Sequence, residues 1–413
     1  MPTFHSFHSP LTRRGFVLAS AGGLATVLRP GPLRSMQTAS LPRAAGPRWR
    51  PTSDLLRTLP RLLELAAVPG VAVATVDDGR IFVGNAGRAQ VAPRQAVDDA
   101  TVFEAASLGK PLFACGVLQL VDAGQLALDR PLRDYLRAPD ADGTRMRRVT
   151  ARHVLSHTTG LPNWRREPGP LEPAAEPGSV FSYSGEGFFH LQRVVEAVTG
   201  QPVARFMRER VLDPLGMAES SYVWRPAYDA RMAVGYDERG QRVEVYAAMG
   251  RRAAVIAREW GKPLEEWRYE DAARTVTLIN PAWPVLPLYM VPNVAASLLT
   301  TAGDYARFLD RLVALPARPG LDLAPGTRDA MTTQQVQLNS ALAWGLGWGL
   351  QHDEFGQTLW HWGANNCFRN FAMADPANGR ALVVLTNGEN GPRVYERVIA
   401  SLTGRDHPAF LWG

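Results

Sequence analysis

Apolar residues recur at two spacings along the chain, and each spacing predicts one kind of element. Residues 53–65 place leucines at helical spacing, which predicts a helix. Residues 71–76 are rich in β-branched side chains, and residues 81–83 begin a second strand after the turn signal Asp78-Gly79. The first ordered part of the chain is therefore predicted to be a helix followed by a β-hairpin.

The middle of the sequence has mostly helical patterns. A Pro- and Glu-rich loop is predicted over residues 163–178. Residues 222–290 differ in composition, with aromatic residues among scattered arginines and prolines, and two interpretations stay open. They form a lid or substrate-side insertion, or they form ordinary aromatic packing, which we favour slightly. The predicted helices cover residues 112–123, 151–156, 187–198 and 201–212.

The last third of the chain returns to strand patterns and closes with a helix over residues 394–402. Strands at both ends of a helical middle predict an α+β fold, an α/β sandwich with helices flanking the sheet. The mostly antiparallel sheet is assembled from the two termini, and a helical lobe is inserted between them. The C-terminal strands are predicted over residues 344–350, 358–362, 368–375 and 381–386, with an Asn378-Gly379 turn before the last.

The positive net charge of +6 is concentrated at the N-terminus. Residues 1–50 contain seven arginines and no acidic residue, so the rest of the 413-residue chain carries a net charge of −1. This distribution removes the argument for a nucleic-acid partner. Arg13-Arg14 precede an apolar run, a pattern that predicts a twin-arginine export signal over residues 1–39 and a periplasmic or extracellular protein.

Residues 40–52 are predicted to be a linker and residues 53–413 to be the folded domain. The apolar run of the signal has about thirteen residues, which is short for a membrane span. No later segment reaches the required length, so no stable span is expected after signal removal. The oligomeric state is not predicted.

Few residues are available for a disulfide framework or a metal site. Only two cysteines are present, Cys115 and Cys367, and a bridge between them stays open. His153 and His157 are four residues apart, as in a zinc-binding helix, but the glutamate of His-Glu-x-x-His is missing and no third ligand is evident. We therefore predict no metal and no cofactor.

The strongest candidate chemistry is a serine followed three residues later by a lysine, Ser107 and Lys110. At the start of a helix this spacing places the hydroxyl and the amine on one face. A lysine can accept the serine proton only if its pKa is lowered, and an arginine cannot replace it. Lys110 and Lys262 are the only lysines in this arginine-rich chain, which makes Lys110 a candidate general base.

Acyl transfer also needs a second proton-handling group and donors for the developing oxyanion. Tyr183 lies between a loop and a helix, where a phenol can face a cleft. His361 lies near the end of the predicted strand 358–362, and flexible backbone follows that strand at Gly363. The predicted oxyanion donors are the backbone N–H groups of Ser107 and Ala364.

Three short stretches occur in order along the chain: Ser107-Leu-Gly-Lys110, Tyr183-Ser-Gly185 and His361-Trp-Gly363. They resemble the active-site elements of the class C β-lactamase and penicillin-binding-protein superfamily, including its esterases: Ser-x-x-Lys, Tyr-x-Asn and Lys-Thr-Gly or His-x-Gly. The resemblance extends over about residues 53–402. Further matching stretches are residues 153–161, 214–217, 344–348 and 383–387.

The resemblance implies a role for each matched residue. Ser107 would be acylated, Lys110 would be the general base, and Tyr183 would pass the proton to the leaving group and help to activate the deacylating water. His361 would bind a substrate carboxylate or help to hold Tyr183, with a titrating charge in place of the fixed charge of a lysine. Gly185 replaces the asparagine of Tyr-x-Asn, which removes an amide that contacts substrate in relatives. The neighbouring Glu186 either supplies a polar group there or is exposed.

These observations predict an exported, metal-independent serine hydrolase that cleaves an ester or a small amide. Gly185 and His361 shift the expectation away from an efficient β-lactamase, and the physiological substrate stays open, with β-lactams and D-alanyl or cell-wall peptides included. The chain has no Gly-x-Ser-x-Gly sequence, which argues against an α/β-hydrolase. The alternative is a catalytically silent protein of the penicillin fold that binds cell-wall peptide or a protein partner.

Overall fold

The computed structural model of the protein describes residues 48–314 and 320–412. The predicted export signal and most of the predicted linker lie outside the described residues. Within the described part, none of the helices has the length and apolar character needed to cross a membrane.

A nine-stranded antiparallel sheet forms the centre of the fold, in the order β3-β2-β1-β13-β12-β11-β10-β9-β8. The N-terminal hairpin joins the C-terminal strands where β1 pairs with β13, from Val71 opposite Thr386 to Asp77 opposite Arg380. The predicted α+β fold with a sheet built from both termini is confirmed. The strands of this sheet are β1 (Gly70–Asp77), β2 (Arg80–Gln90), β3 (Gln95–Ala96), β8 (Val336–Gln337), β9 (Leu342–Trp344), β10 (Gly349–Asp353), β11 (Gly356–Asn365), β12 (Phe368–Asp375) and β13 (Arg380–Thr386).

The described part of the chain also contains two short two-stranded sheets, ten α-helices and several short 3₁₀- and π-helical turns. The small sheets are β4 (Phe103–Ala106) with β7 (Leu298–Thr300), and β5 (Gly235–Tyr236) with β6 (Arg242–Val243). The helices are α1 (Ser53–Ala66), α2 (Gly109–Asp122), α3 (Ala151–Leu155), α4 (Gly185–Thr199), α5 (Val203–Met207), α6 (Val245–Glu259), α7 (Tyr269–Ile279), α8 (Ala302–Leu312), α9 (Pro325–Thr332) and α10 (Pro392–Thr403).

The central strands are buried on both faces, which explains their nearly continuous apolar sequence. Along β1, Val71 and Val73 face one core, under α1 and α10, while Ala72 and Ala74 face the other. This alternation follows from the two-residue period of a strand. The second core also contains α8 and the helical lobe, so the sheet separates two hydrophobic layers.

Two sequence predictions need correction. Residues 344–350 do not form one strand, because β9 ends at Trp344 and β10 begins at Gly349. The intervening Gly347 has a φ of +87°, and its N–H donates to the Leu155 carbonyl outside the sheet. The glycines of this stretch therefore form a turn that contacts the helical lobe. The predicted helix over 201–212 changes to a π-helical turn from Arg208 to Leu212.

Residues 222–290 contain α6 and α7 and pack many aromatic side chains inside the fold. Trp267 is fully buried against Trp260, and Trp224 packs edge-on against Tyr228. The Tyr222 hydroxyl donates to the Gly109 carbonyl at 2.7 Å, at the start of α2. Aromatic packing therefore accounts for the unusual composition of this segment, and a role as a lid stays a prediction.

Candidate active site

The backbone turns sharply just before Ser107. The preceding residue, Ala106, has a φ of +53°, and the pairing of β4 with β7 is irregular between Glu104 and Ala106. A non-glycine residue in this conformation is strained, and such strain is often found at functional positions. Ser107 is the only residue from Thr101 to Lys110 that is not buried. The turn therefore leaves Ser107 as the one accessible side chain of an otherwise buried segment.

Lys110 lies in the first turn of α2 and is completely buried. Its Nζ donates to the Ser107 Oγ at 2.8 Å and to the carbonyl of Ala295 at 2.9 Å. Within the described residues, no carboxylate forms an ion pair with this amine. Burial without a counter-ion lowers the pKa of Lys110 well below its ordinary value. The lowered pKa favours the neutral amine, which has a lone pair for the serine proton.

Tyr183 is brought to the same place by the segment before α4. Its ring centroid lies 4.9 Å from the Lys110 Nζ and 6.2 Å from the ring centroid of His361. The phenol oxygen is buried and has no hydrogen-bond partner in the described part of the chain. Burial raises the pKa of Tyr183, and the Ser107 hydroxyl acts in the opposite direction. Tyr183 is therefore a protonated phenol beside the serine and lysine pair.

His361 lies on β11 and is neutral. Its Nδ1–H donates to the Trp362 carbonyl at 2.7 Å, so Nε2 of the neutral ring carries the lone pair. Burial and the charge of Lys110 lower the pKa of His361 to about 3, although the bond to Trp362 acts in the opposite direction. The expectation of a charge that titrates near neutral pH is therefore wrong. Of the two predicted roles, contact with Tyr183 fits this buried ring, whereas binding a carboxylate as a cation does not.

The segment after His361 lies against the backbone that carries Ser107. A Cβ at Gly363 would come within 2.1 Å of the Ala105 carbonyl oxygen, so only glycine permits this close approach. Ala364 is exposed, on a part of β11 that pairs with β12 and extends beyond the pairing with β10. The backbone N–H of Ser107 has no hydrogen-bond partner in the described residues. The role of Ser107 and Ala364 as oxyanion donors stays a prediction.

Gly185 begins α4, and an aromatic ring occupies the space beside it. A Cβ at this position would lie 2.4 Å from the Trp164 Cζ2. The Gly185 N–H donates to the backbone and the side-chain oxygen of Asn163, both at 3.0 Å. The loop that holds Asn163 and Trp164 therefore fills the place of a side chain at position 185.

The suggestion that Glu186 is exposed is wrong, because only 1% of its surface is accessible. Its Oε1 accepts from the Arg165 backbone at 2.8 Å and from the Arg165 guanidinium at 3.0 Å. Burial raises the pKa of Glu186, and Arg165 acts in the opposite direction. Glu186 therefore holds the Trp164 loop against α4 through its contacts with Arg165.

Sequence reasoning did not identify the Ala295 carbonyl, which accepts from both Lys110 and Ser107, the latter at 3.3 Å. Every residue has a backbone carbonyl, so the residue type at position 295 does not indicate that this carbonyl is an acceptor in the site. The only available signals were Asn293, whose Oδ1 accepts from Ala295 N, and Gln192, whose Oε1 accepts from Val294 N. These side chains fix the loop that supplies the carbonyl.

The remaining candidates form no second centre in residues 48–314 and 320–412. Both cysteines are free, so the bridge left open above is absent. The Nδ1 of His153 accepts from the Thr150 backbone and caps α3. No group of three or more His, Cys, Asp or Glu side chains in this part of the chain is placed to hold a metal ion.

A comparison with known protein families identifies the family of the chain. The sequence model of the beta-lactamase family matches residues 57–403. The chain belongs to the beta-lactamase family. Its coarse activity is therefore that of a serine hydrolase of this family, and the comparison leaves esterase, β-lactamase and peptidase activities unresolved.

Individual proteins with similar sequences match different shares of the chain. Penicillin-binding protein 4 from Amycolatopsis lactamdurans is 29% identical over 387 residues, which cover 86% of this chain and 89% of that protein. Esterase EstB from Burkholderia gladioli is 35% identical over 171 residues, 33% of this chain and 42% of that protein.

The beta-lactamase fold is also found in solved structures similar to this one. A class C beta-lactamase has a TM-score of 0.65 and 19% identity, covering 86% of this chain and 97% of that chain. The octameric penicillin-binding protein homologue from Pyrococcus abyssi also has a TM-score of 0.65, at 20% identity, covering 84% of this chain and 76% of that chain. These likenesses concern the fold.

Proposed function

We propose that the protein hydrolyses an ester or a small amide through an acyl-enzyme on Ser107. The observation that carries this proposal is the buried Lys110 amine, 2.8 Å from the Ser107 Oγ and without a carboxylate partner in the described residues. A lysine with a lowered pKa is an effective general base for a serine at neutral pH. Lys110 is thus the base of the proposed acylation step.

In that step the Lys110 lone pair takes the Ser107 proton while Oγ bonds to the substrate carbonyl carbon. The backbone N–H groups of Ser107 and Ala364 donate to the resulting oxyanion. When the tetrahedral intermediate collapses, the bond to the leaving group breaks and the proton passes through the Tyr183 phenol to that group. A water molecule then attacks the acyl carbon and gives a proton to Lys110. When this second tetrahedral intermediate collapses, the bond between Ser107 Oγ and the acyl carbon breaks, the proton on Lys110 passes to Oγ, and the acid product leaves.

Two features favour an ester over a β-lactam. The Trp164 ring lies where a side chain at position 185 would project, so that position offers no amide. His361 is neutral because burial and Lys110 lower its pKa to about 3, so it presents no cation to the carboxylate of a β-lactam. Esterase EstB, a relative by sequence, is an esterase by name. We infer that p-nitrophenyl esters are turned over faster than nitrocefin.

The test compares purified protein with its Ser107→Ala variant. A fluorophosphonate probe is expected to label the first and not the second, and p-nitrophenyl acetate or butyrate is expected to be hydrolysed only by the first. Nitrocefin and D-alanyl amides, assayed in parallel, show whether the protein also hydrolyses β-lactams or peptides. Failure of the probe to label Ser107 would support the alternative, a silent binding protein of the same fold.

We also propose export by the twin-arginine route, from Arg13-Arg14 and the apolar run that follows them. Replacing both arginines by lysine should keep the protein inside the expressing cell, while the unchanged protein is recovered outside the cytoplasm. Equal recovery of both forms outside the cytoplasm would contradict this assignment.

A further inference from the structure

His157 has an unusual backbone conformation for a buried side chain. It follows α3 with a φ of +56°, a region that residues other than glycine rarely adopt. Its side chain is completely buried. In the sequence this residue is half of a histidine pair and part of the family-like stretch 153–161, and the acyl-transfer steps above do not use it. A strained, buried histidine beside a reaction site calls for a specific role.

His157 contacts three consecutive residues around the Tyr183 phenol. Its carbonyl accepts from the Ser182 N–H at 2.7 Å, and its Nδ1 accepts from the Ser184 N–H at 3.0 Å. Between these two bonds, its ring lies against the Tyr183 ring, with centroids 4.2 Å apart and planes at 31°. His157 therefore fixes the backbone on both sides of Tyr183 and also packs against the Tyr183 ring.

The bond from Ser184 also fixes the tautomer of His157. Because Nδ1 is an acceptor, the neutral ring carries its proton on Nε2. Burial lowers the pKa of His157 well below its ordinary value, and the charge of Lys110 acts in the same direction. The His157 ring is therefore neutral, and it adds no positive charge beside the Lys110 amine.

The Nε2–H of His157 and the unprotonated Nε2 of His361 are both buried and without partners in the described residues. Both rings pack edge-on against Trp344, at centroid distances of 5.2 and 5.5 Å. The Tyr183 ring also packs edge-on against Trp344. The His157 N–H donor, the His361 nitrogen acceptor and the Tyr183 phenol therefore lie around the same tryptophan. None of these three groups competes with Lys110 for a proton at neutral pH.

We propose that His157 is a positioning residue that holds the Tyr183 phenol beside Ser107 and Lys110, through Ser182, Ser184 and its stacked ring. This inference rests on the proposed function, in which Tyr183 carries the proton to the leaving group. A displacement of such a group by about 1 Å can reduce the rate by about 10²-fold. Because the His157 side chain is completely buried and offers no surface to a substrate, we expect the loss in kcat and not in KM.

Two variants separate the two kinds of contact. His157→Asn keeps an acceptor near the Nδ1 position, and asparagine tolerates a positive φ, but the variant removes the ring. His157→Phe keeps a ring and leaves the Ser184 N–H unpaired. Each variant is expected to lower kcat by about ten- to 100-fold with KM within about twofold. His190→Phe is the matched control, because His190 is another buried histidine on α4, and it should keep kcat within about twofold.

A double-mutant cycle shows whether His157 acts through Tyr183. Tyr183→Phe alone should reduce kcat by about 10²-fold or more. In that background, either His157 variant should change kcat by less than about twofold, because the group being positioned is already absent. An equal loss in both backgrounds, or full activity in Tyr183→Phe, would overturn the inference. In both of those cases fluorophosphonate labelling of Ser107 would still support the proposed hydrolase, so the two failures are distinguishable.

A measurement on the unchanged protein covers the case in which a variant fails to fold. Histidine-selective ¹⁵N NMR, assigned with the same variants or with His190→Phe, reports which nitrogen of each ring carries the proton. We expect His157 to be a neutral Nε2–H ring at neutral pH. A proton on Nδ1 would exclude the bond from Ser184 and would overturn the inference.

Discussion

The Trp164 indole lies against the Cα of Gly185, where a Cβ would come within 2.4 Å of the ring. Glycine stands where the Tyr-x-Asn motif has asparagine, and the Trp164 ring occupies the space that the asparagine side chain would need. Asn163 and Arg165, on either side of Trp164, bond to the start of α4 and fix this ring. The departure from the motif is thus built into the fold.

Gly185→Asn is predicted to lower stability and not to restore β-lactamase activity. The new side chain must displace Trp164, and overpacking of this kind costs about 1–3 kcal/mol. Urea unfolding provides the measurement. Gly187→Ala in the same helix is the control, because its nearest contact would be an ordinary 3.5 Å and alanine favours a helix. Wild-type stability in Gly185→Asn would show that the ring moves freely.

Glu186→Ala is predicted to release the Trp164 loop. Its carboxylate is buried and accepts from the backbone and guanidinium of Arg165, so removing it leaves partly buried donors unpaired. A loss of about 1–3 kcal/mol in the free energy of unfolding is expected. Asp54→Ala, which removes an exposed ion pair with Arg57, should change little. Equal effects of the two variants would argue against a structural role for Glu186.

Glu104 is predicted to make stability fall as the pH rises. Burial raises its pKa from 4.5 to about 8, with a smaller opposing effect from the Ala247 N–H. Between these two values the folded protein holds a proton that the unfolded chain has lost, so ionisation opposes folding. The free energy of unfolding of the wild type should therefore fall relative to that of Glu104→Gln. The expected decrease is about 1.4 kcal/mol per pH unit over this range. Urea unfolding at several pH values tests this, and parallel curves for the two proteins would contradict it.

The sheet was predictable from sequence because its signals are local. The hairpin at Asp78-Gly79 and the alternation along the last strands are visible without any tertiary information. The break at Gly347 was not predictable, because its apolar and glycine residues are equally compatible with a strand or a turn. The choice depends on a hydrogen bond to the distant Leu155. The short pairing of β4 with β7 joins segments about 200 residues apart and left no local pattern.

The side chains of the site were predictable and their electrostatic states were not. Ser107, Lys110, Tyr183 and His361 lie together as the motifs implied, since residue type and order are sequence properties. The neutrality of His361 depends on burial and on a bond to the Trp362 carbonyl, which only the fold supplies. The Ala295 carbonyl and the Trp164 ring were missed for the same reason.

Lys110→Arg is predicted to reduce acylation almost as fully as Ser107→Ala. A guanidinium does not deprotonate and cannot accept the serine proton. Stopped-flow measurement of the p-nitrophenol burst from p-nitrophenyl acetate separates acylation from turnover. Retention of most of the burst rate in Lys110→Arg, with the fold confirmed by circular dichroism, would contradict the role of the amine.

The pH dependence of Ser107 labelling by a fluorophosphonate tests the central claim most directly. The labelling rate reports the fraction of Lys110 that is free to accept a proton, since the probe itself does not titrate. With a pKa lowered by burial, the rate should reach its plateau well below pH 10.5. A rate that still rises between about pH 8 and pH 10.5, as for an ordinary lysine, would contradict the account.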